Sequence, residues 1–159
     1  MISKLPSTLT GEWQLDRDVV LHDGHGGETF GTLTGNITFL PDGINKILVQ
    51  ENGVLTINQT DNVVYRSYIY ELKDDKIYIL YNDDHRKGDI LHELDFIKNI
   101  NGEITATHCH ICKDDKYTIE FSINPNKTIT IDYNVRGPHK NYDMHSVLTA
   151  HRKTVIREL

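Results

Sequence analysis

Between its turns this chain alternates apolar and polar residues with a period of two, almost from end to end. Half-buried antiparallel strands read this way. A chain built almost wholly of them must close or double its sheet to bury the apolar face. From 11 to 20, Trp13, Leu15, Arg17 and Val19 share a face; from 31 to 40, Leu33, Ile37 and Phe39 do. Pro41-Asp42-Gly43 then reads as a turn, with proline fixing its first corner.

Asn52-Gly53 has the composition of a two-residue hairpin. Yet Ile47, Val49, Leu55 and Ile57 keep odd parity across it, whereas a hairpin would turn Val54, Thr56 and Asn58 inward. One long strand bending at Gly53 is therefore expected. Further strands are expected over 63–72, 76–81, 89–97, 103–112, 117–123, 128–135 and 145–153, with a helical turn only near Leu5 to Leu9. Nine to ten strands with mostly short connections imply an all-β, antiparallel up-and-down barrel. A β-sandwich fits the same spacing. With 159 residues and no repeat or linker, one domain over 1–159 is expected.

The apolar faces carry ionisable groups. Arg17 is in phase with Trp13 and Leu15, and Glu51 with Ile47 and Val49. Arg66 shares a face with Val64, Tyr68 and Tyr70, and His92 with Leu94 and Phe96. His108, His110 and Cys112 follow Ile104 and Ala106, and Tyr117 precedes Ile119 and Phe121. Such groups are costly to bury unpaired, so they pair with one another or meet water or a ligand. An internal network, Glu51 with Arg17 or Arg66, is one outcome. The other is a polar pocket for an anionic, polar or amphipathic small molecule, because Arg and His supply donors.

Residues two apart on a strand lie about 6.5 to 7 Å apart on one face. His108 and His110 could thus chelate a metal or haem iron, with Cys112 and His92 as further ligands. The spacing of a zinc finger is absent, as are a Gly-x-Ser-x-Gly elbow and a phosphate-cradling glycine loop. Acid–base chemistry by His92 or His110 with Glu51 or Asp115, of isomerase, cyclase or hydrolase type, is the enzymatic alternative.

The net charge of -6, with basic residues scattered among carboxylates, argues against nucleic acid as a partner. Only 151–157 is locally basic. No apolar run approaches the roughly 18 to 20 residues of a membrane span or the length of a signal peptide. Cys109 and Cys112 sit at an odd offset on one strand, which strains a disulfide, so a reduced cytoplasmic setting is expected. Composition names no cofactor and sets no oligomeric state.

Leu9-Thr10-Gly11-Glu12-Trp13 resembles the Gly-x-Trp signature of lipocalins and their calycin relatives, in which an Arg of the last strand packs over the Trp. Arg152 stands in that place. Over 9–153 the chain looks more specifically like an uncharacterised lipocalin-like domain family of unknown function. The resemblance runs through Arg17, Gly31, Gly35 and Phe39, then Val49-Gln50-Glu51-Asn52-Gly53, Arg66-Ser67-Tyr68 and Leu91-His92-Glu93-Leu94. It ends with 110–117, Val135-Arg136-Gly137-Pro138-His139-Lys140 and Arg152. The chain departs from the family pattern at Leu91, where an aromatic is usual, and at His139, where Arg is. The resemblance implies a barrel with a site but no established reaction. Parity and resemblance together nominate Arg17, Glu51, Arg66, Tyr68, His92, His110, Tyr117, Lys140 and Arg152 as the ligand-binding set.

Overall fold

The computed structural model describes residues 2–151. A short 3-10 turn (Ile2–Lys4) and helix α1 (Leu5–Leu9) precede eleven strands. These are β1 (Gly11–His22), β2 (Glu28–Pro41), β3 (Lys46–Ile57), β4 (Thr60–Lys73), β5 (Lys76–Tyr81) and β6 (Ile90–Leu94), then β7 (Ile97–Lys98), β8 (Ile104–Cys112), β9 (Asp115–Ile123), β10 (Ile129–Arg136) and β11 (Asn141–Ala150). All pairings are antiparallel, in the order β6-β5-β4-β3-β2-β1-β11-β10-β9-β8-β7. The fold is an antiparallel up-and-down barrel. Its count exceeds the expected nine to ten because the segment 89–97 divides into β6 and the two-residue β7.

The strand expected to bend at Gly53 is continuous: β3 pairs with β2 and β4 along its whole length. Gly53 faces Gly35, and a Cβ on Gly35 would run into the Asn52 carbonyl. The two backbones therefore meet where only glycine fits, which is the corner a barrel needs. The hairpin after β3 lies instead at Asn58-Gln59. Both residues have positive φ (50° and 63°), the geometry of a type I′ turn. Glycine was absent there, so composition did not mark it.

One end of the barrel is closed. Helix α1 buries Leu5 and Leu9 against it, and the Trp13 indole Nε1 donates to the Leu9 carbonyl at 2.8 Å. Leu15, Ile37, Phe39, Ile47, Ile77, Leu94, Phe121, Ile129 and Leu148 fill this end. From there the inward faces change character along each strand: Trp13 and Leu15 give way to Arg17, Val49 to Glu51, Tyr70 and Tyr68 to Arg66, and Leu148 to Ser146. At the other end stand the loops 23–27, 82–89 and 137–140.

The sheet does not close by backbone pairing. Strands β6 and β7 are the two ends of the strand order, and β6 lies beside β8 without a ladder among the described residues. A register shift between Ile79 and Leu80 in the β5–β6 ladder turns Leu91 and His92 both inward.

Candidate functional site

At mid-height the Arg17 guanidinium donates from Nη1 to Glu51 Oε1 at 2.8 Å and from Nε to Ser146 Oγ at 2.7 Å. Arg17 pairs with Leu33 on β2, and Glu51 with Ile37 on the same strand, so the ion pair links β1 to β3 across β2. The side chains are 7% and 13% exposed. Each supplies the counter-charge that makes the other's burial tolerable.

Arg66 on β4 stands directly opposite Glu51 in the β3–β4 ladder. Among the described residues, no carboxylate lies within ion-pair distance of it. Burial works against its charge, but Tyr68 and then Glu51 outweigh that, and the guanidinium holds its proton more tightly than a free one. Burial pushes Tyr68 up against the pull of Arg66, and it pushes Tyr70 up far enough to keep the phenol protonated.

Above this layer lies a cavity of about 460 Å³, open at the loop end. Seven of the chain's eight tyrosines line it: Tyr65, Tyr68, Tyr70, Tyr81, Tyr117, Tyr133 and Tyr142. Four cations, Arg17, Arg66, Arg86 and Lys140, face two carboxylates, Glu51 and Asp83. The cavity lining thus carries an excess of positive charge, although the chain as a whole carries -6. At its rim Arg86 pairs with Asp83 at 2.7 Å and lies over the Tyr81 ring, 3.9 Å from its centre. Across the mouth Lys140 Nζ donates to Tyr117 Oη at 2.9 Å. A side chamber of about 220 Å³ shares Arg17, Glu51, Arg66, Tyr142 and Met144 with the cavity. It is otherwise mostly apolar, walled by Val19, Leu21, Leu33, Leu55, Ile57 and Val64.

His92 is fully buried and uses both ring nitrogens. Nε2 is 2.8 Å from Tyr133 Oη in the cavity, and Nδ1 is 3.0 Å from His108 Nδ1 on β8. Burial, then the neighbouring His108 and His110, pull its pKa down to about 3. His92 is therefore neutral near neutral pH. Burial likewise pushes Tyr133 up, so its phenol keeps its proton.

Of the residues nominated from sequence, Arg17, Glu51, Arg66, Tyr68, His92, Tyr117 and Lys140 line this one cavity. His110 does not; its ring lies 6.2 Å from that of His92 and 6.1 Å from that of Tyr117. Arg152 lies outside the described residues. Asp115 is a rim residue, 3.9 Å from Lys140, and not a partner of either nominated histidine. Cys109 and Cys112 are free and exposed, and among the described residues no three His, Cys, Asp or Glu side chains converge as metal ligands would. The sequence reading missed Tyr133 and Tyr142, which parity with Ile131 and Met144 could have given. It also missed Tyr65, Asp83 and Arg86, which reach the mouth from an outward position and from a loop, where no periodicity applies.

These features define an up-and-down β-barrel packed solid at one end and hollow, tyrosine-lined and basic at the other. The chain belongs to the DUF6314 family, a family of unknown function, which it matches over residues 9–150. No curated protein matches it. Among solved structures it is similar to the S-type phycobiliprotein lyase CPES from Guillardia theta, at 11% identity and a TM-score of 0.64, covering 96% of this chain and 93% of that one. It also matches a redesigned β-barrel, mFAP1, bound to DFHBI, at 13% identity and a TM-score of 0.46, covering 91% and 97%. At 11% identity the likeness to the lyase is one of fold alone.

Proposed function

We propose that this protein is a lipocalin-like binding protein for a small organic anion, held in the open-end cavity with its charge at Arg66. The observation that carries this reading is an arginine without a carboxylate partner in a cavity whose other main groups are phenols. A carboxylate, sulfonate or phenolate on the ligand supplies the anionic partner that Arg66, bonded to the Tyr68 phenol, lacks among the described residues. The tyrosines offer ring faces and hydroxyls to an aromatic or oxygen-rich body. The side chamber next to Arg66 takes an apolar portion, which makes the ligand amphipathic. The Gly11-Glu12-Trp13 signature, packed on the closing helix, supports the lipocalin-like assignment.

Native mass spectrometry of the protein purified from its own host tests this. A retained small anion that is lost in Arg66→Gln is the expected result. Absence of a retained molecule, together with equal affinity of wild type and Arg66→Gln for an anionic aromatic probe such as anilinonaphthalene sulfonate, overturns it.

A further inference from the structure

The groups at the seam between β6 and β8 form a connected line. Tyr133 Oη faces the cavity, His92 is wholly enclosed on β6, and His108 is half-buried on β8, across the seam from His92 and outside the cavity lining. The two links are 2.8 Å and 3.0 Å, both hydrogen-bond distances. A buried histidine needs partners, but a carbonyl or a serine would satisfy it. Here both partners can themselves give and accept a proton. The line also crosses the gap between β6 and β8, which no backbone ladder bridges among the described residues.

We infer that the cavity is an acid–base site, in which Tyr133 gives a proton to, or takes one from, an ionisable oxygen of the bound anion and His92 and His108 connect it to solvent. This rests on the proposed binding of an anion in the same cavity. In the donating direction the Tyr133 O–H bond breaks as the ligand O–H bond forms. Tyr133 Oη takes the proton of His92 Nε2, His92 Nδ1 takes that of His108 Nδ1, and His108 Nε2 takes one from a solvent water, which is left as hydroxide in bulk solvent. One proton enters from solvent, the ligand anion is neutralised, and Tyr133, His92 and His108 all end neutral. The reverse direction uses the other tautomer of each ring and returns the proton to water.

The surroundings suit a conductor more than a store. His92 is held neutral by burial, with His108 and His110 on β8 adding to the effect. Burial lowers His108 too, against the pull of Glu93 on β6 and with His110 acting in the same sense as burial. Around Tyr133 stand Tyr68, Tyr142, Tyr81 and Tyr117, all phenols. Neither carboxylate nor ammonium touches His92 to pin it in one protonation state, among the described residues. Tyr133 is the residue that would touch ligand; His92 and His108 act through it.

The test is ¹⁵N and ¹H NMR of the histidine rings, which needs no ligand. For wild type, ring nitrogen shifts of His92 averaged between protonated and unprotonated values are expected, because both directions of the line are populated. In His108→Phe, with the fold checked by amide spectra, His92 should lock into one tautomer. Exchange of its ring proton with water should then slow by on the order of tenfold or more. Tyr133→Phe should also fix the tautomer, because it removes the partner that gives and accepts a proton at Nε2. A single fixed tautomer in wild type, or exchange indifferent to His108, overturns the inference. That failure is separable from failure of the binding reading: it leaves the Arg66-dependent affinity intact, whereas loss of that dependence leaves the ring exchange intact.

Discussion

The closed and open ends of this barrel are made by the same strands, yet they obey different rules. At the closed end every inward position is apolar and filled, as with Phe121, Leu148 and Phe39. At the open end the same alternation delivers Arg17, Arg66, Tyr133 and Tyr142 around empty space. Period-two patterning therefore sets which face is inside, and the position along the strand sets whether inside means core or cavity. The hydrophobic term is concentrated at one end, leaving the other free to hold polar groups that would cost stability in a filled core.

Breaking the closed end should produce the largest effect. Phe121→Ala removes a fully buried ring packed 5.6 Å from Phe96 and should cost about 3 to 5 kcal/mol in denaturant unfolding. Anion affinity measured at low temperature should be unchanged. Acid comes next. Because the folded state holds His92 near 3 while an unfolded histidine titrates near 6.5, the unfolded chain binds more protons between those values. Stability should be full above pH 6.5 and fall by about 1.4 kcal/mol per pH unit as pH drops from there towards 3. Chemical denaturation across that window should show a shallower slope in His92→Gln.

At mid-height, Arg17→Met leaves the enclosed Glu51 carboxylate without its hydrogen-bonded counter-charge and should cost about 3 kcal/mol. The double variant with Glu51→Leu should recover most of that loss. A double variant no more stable than the single would show that the pair is not the reason. The smallest stability effect belongs to Arg66→Gln, expected within about 0.5 kcal/mol of wild type. The same change should weaken anion binding about tenfold by titration calorimetry. A residue that matters for binding and hardly for folding is what separates the hollow end from the solid one.

The sequence showed the barrel well because parity is a local signal that survives along whole strands. It joined residues 46–57 across Asn52-Gly53 against the usual meaning of that dipeptide. It erred where geometry depends on partners outside the strand. The β5–β6 register shift, which brings Leu91 inward beside His92, follows from neither residue's identity. The site was partly legible for the same reason: Arg17, Glu51 and Arg66 are in phase with core residues. His110 is in phase as well, and pairs with Tyr117, yet it is not among the residues that line the cavity. Asp83 and Arg86 lie in a loop whose path over Tyr81 no pattern encodes.

The strand order carries a kinetic consequence. Every ladder but one joins strands that follow each other along the chain, from β1 to β6 and from β7 to β11. The exception unites β1 with β11 and pairs Trp13 with Ala150. Two local meanders can thus form early at small entropic cost, while the zipper between first and last strands must close a loop of nearly the whole chain. Conservative substitutions along β1 and β11 should therefore slow folding in proportion to their cost, while those at His92 and His108 should mainly speed unfolding. The seam, held by side chains and the last part to gain from closure, is then where the native barrel first comes apart.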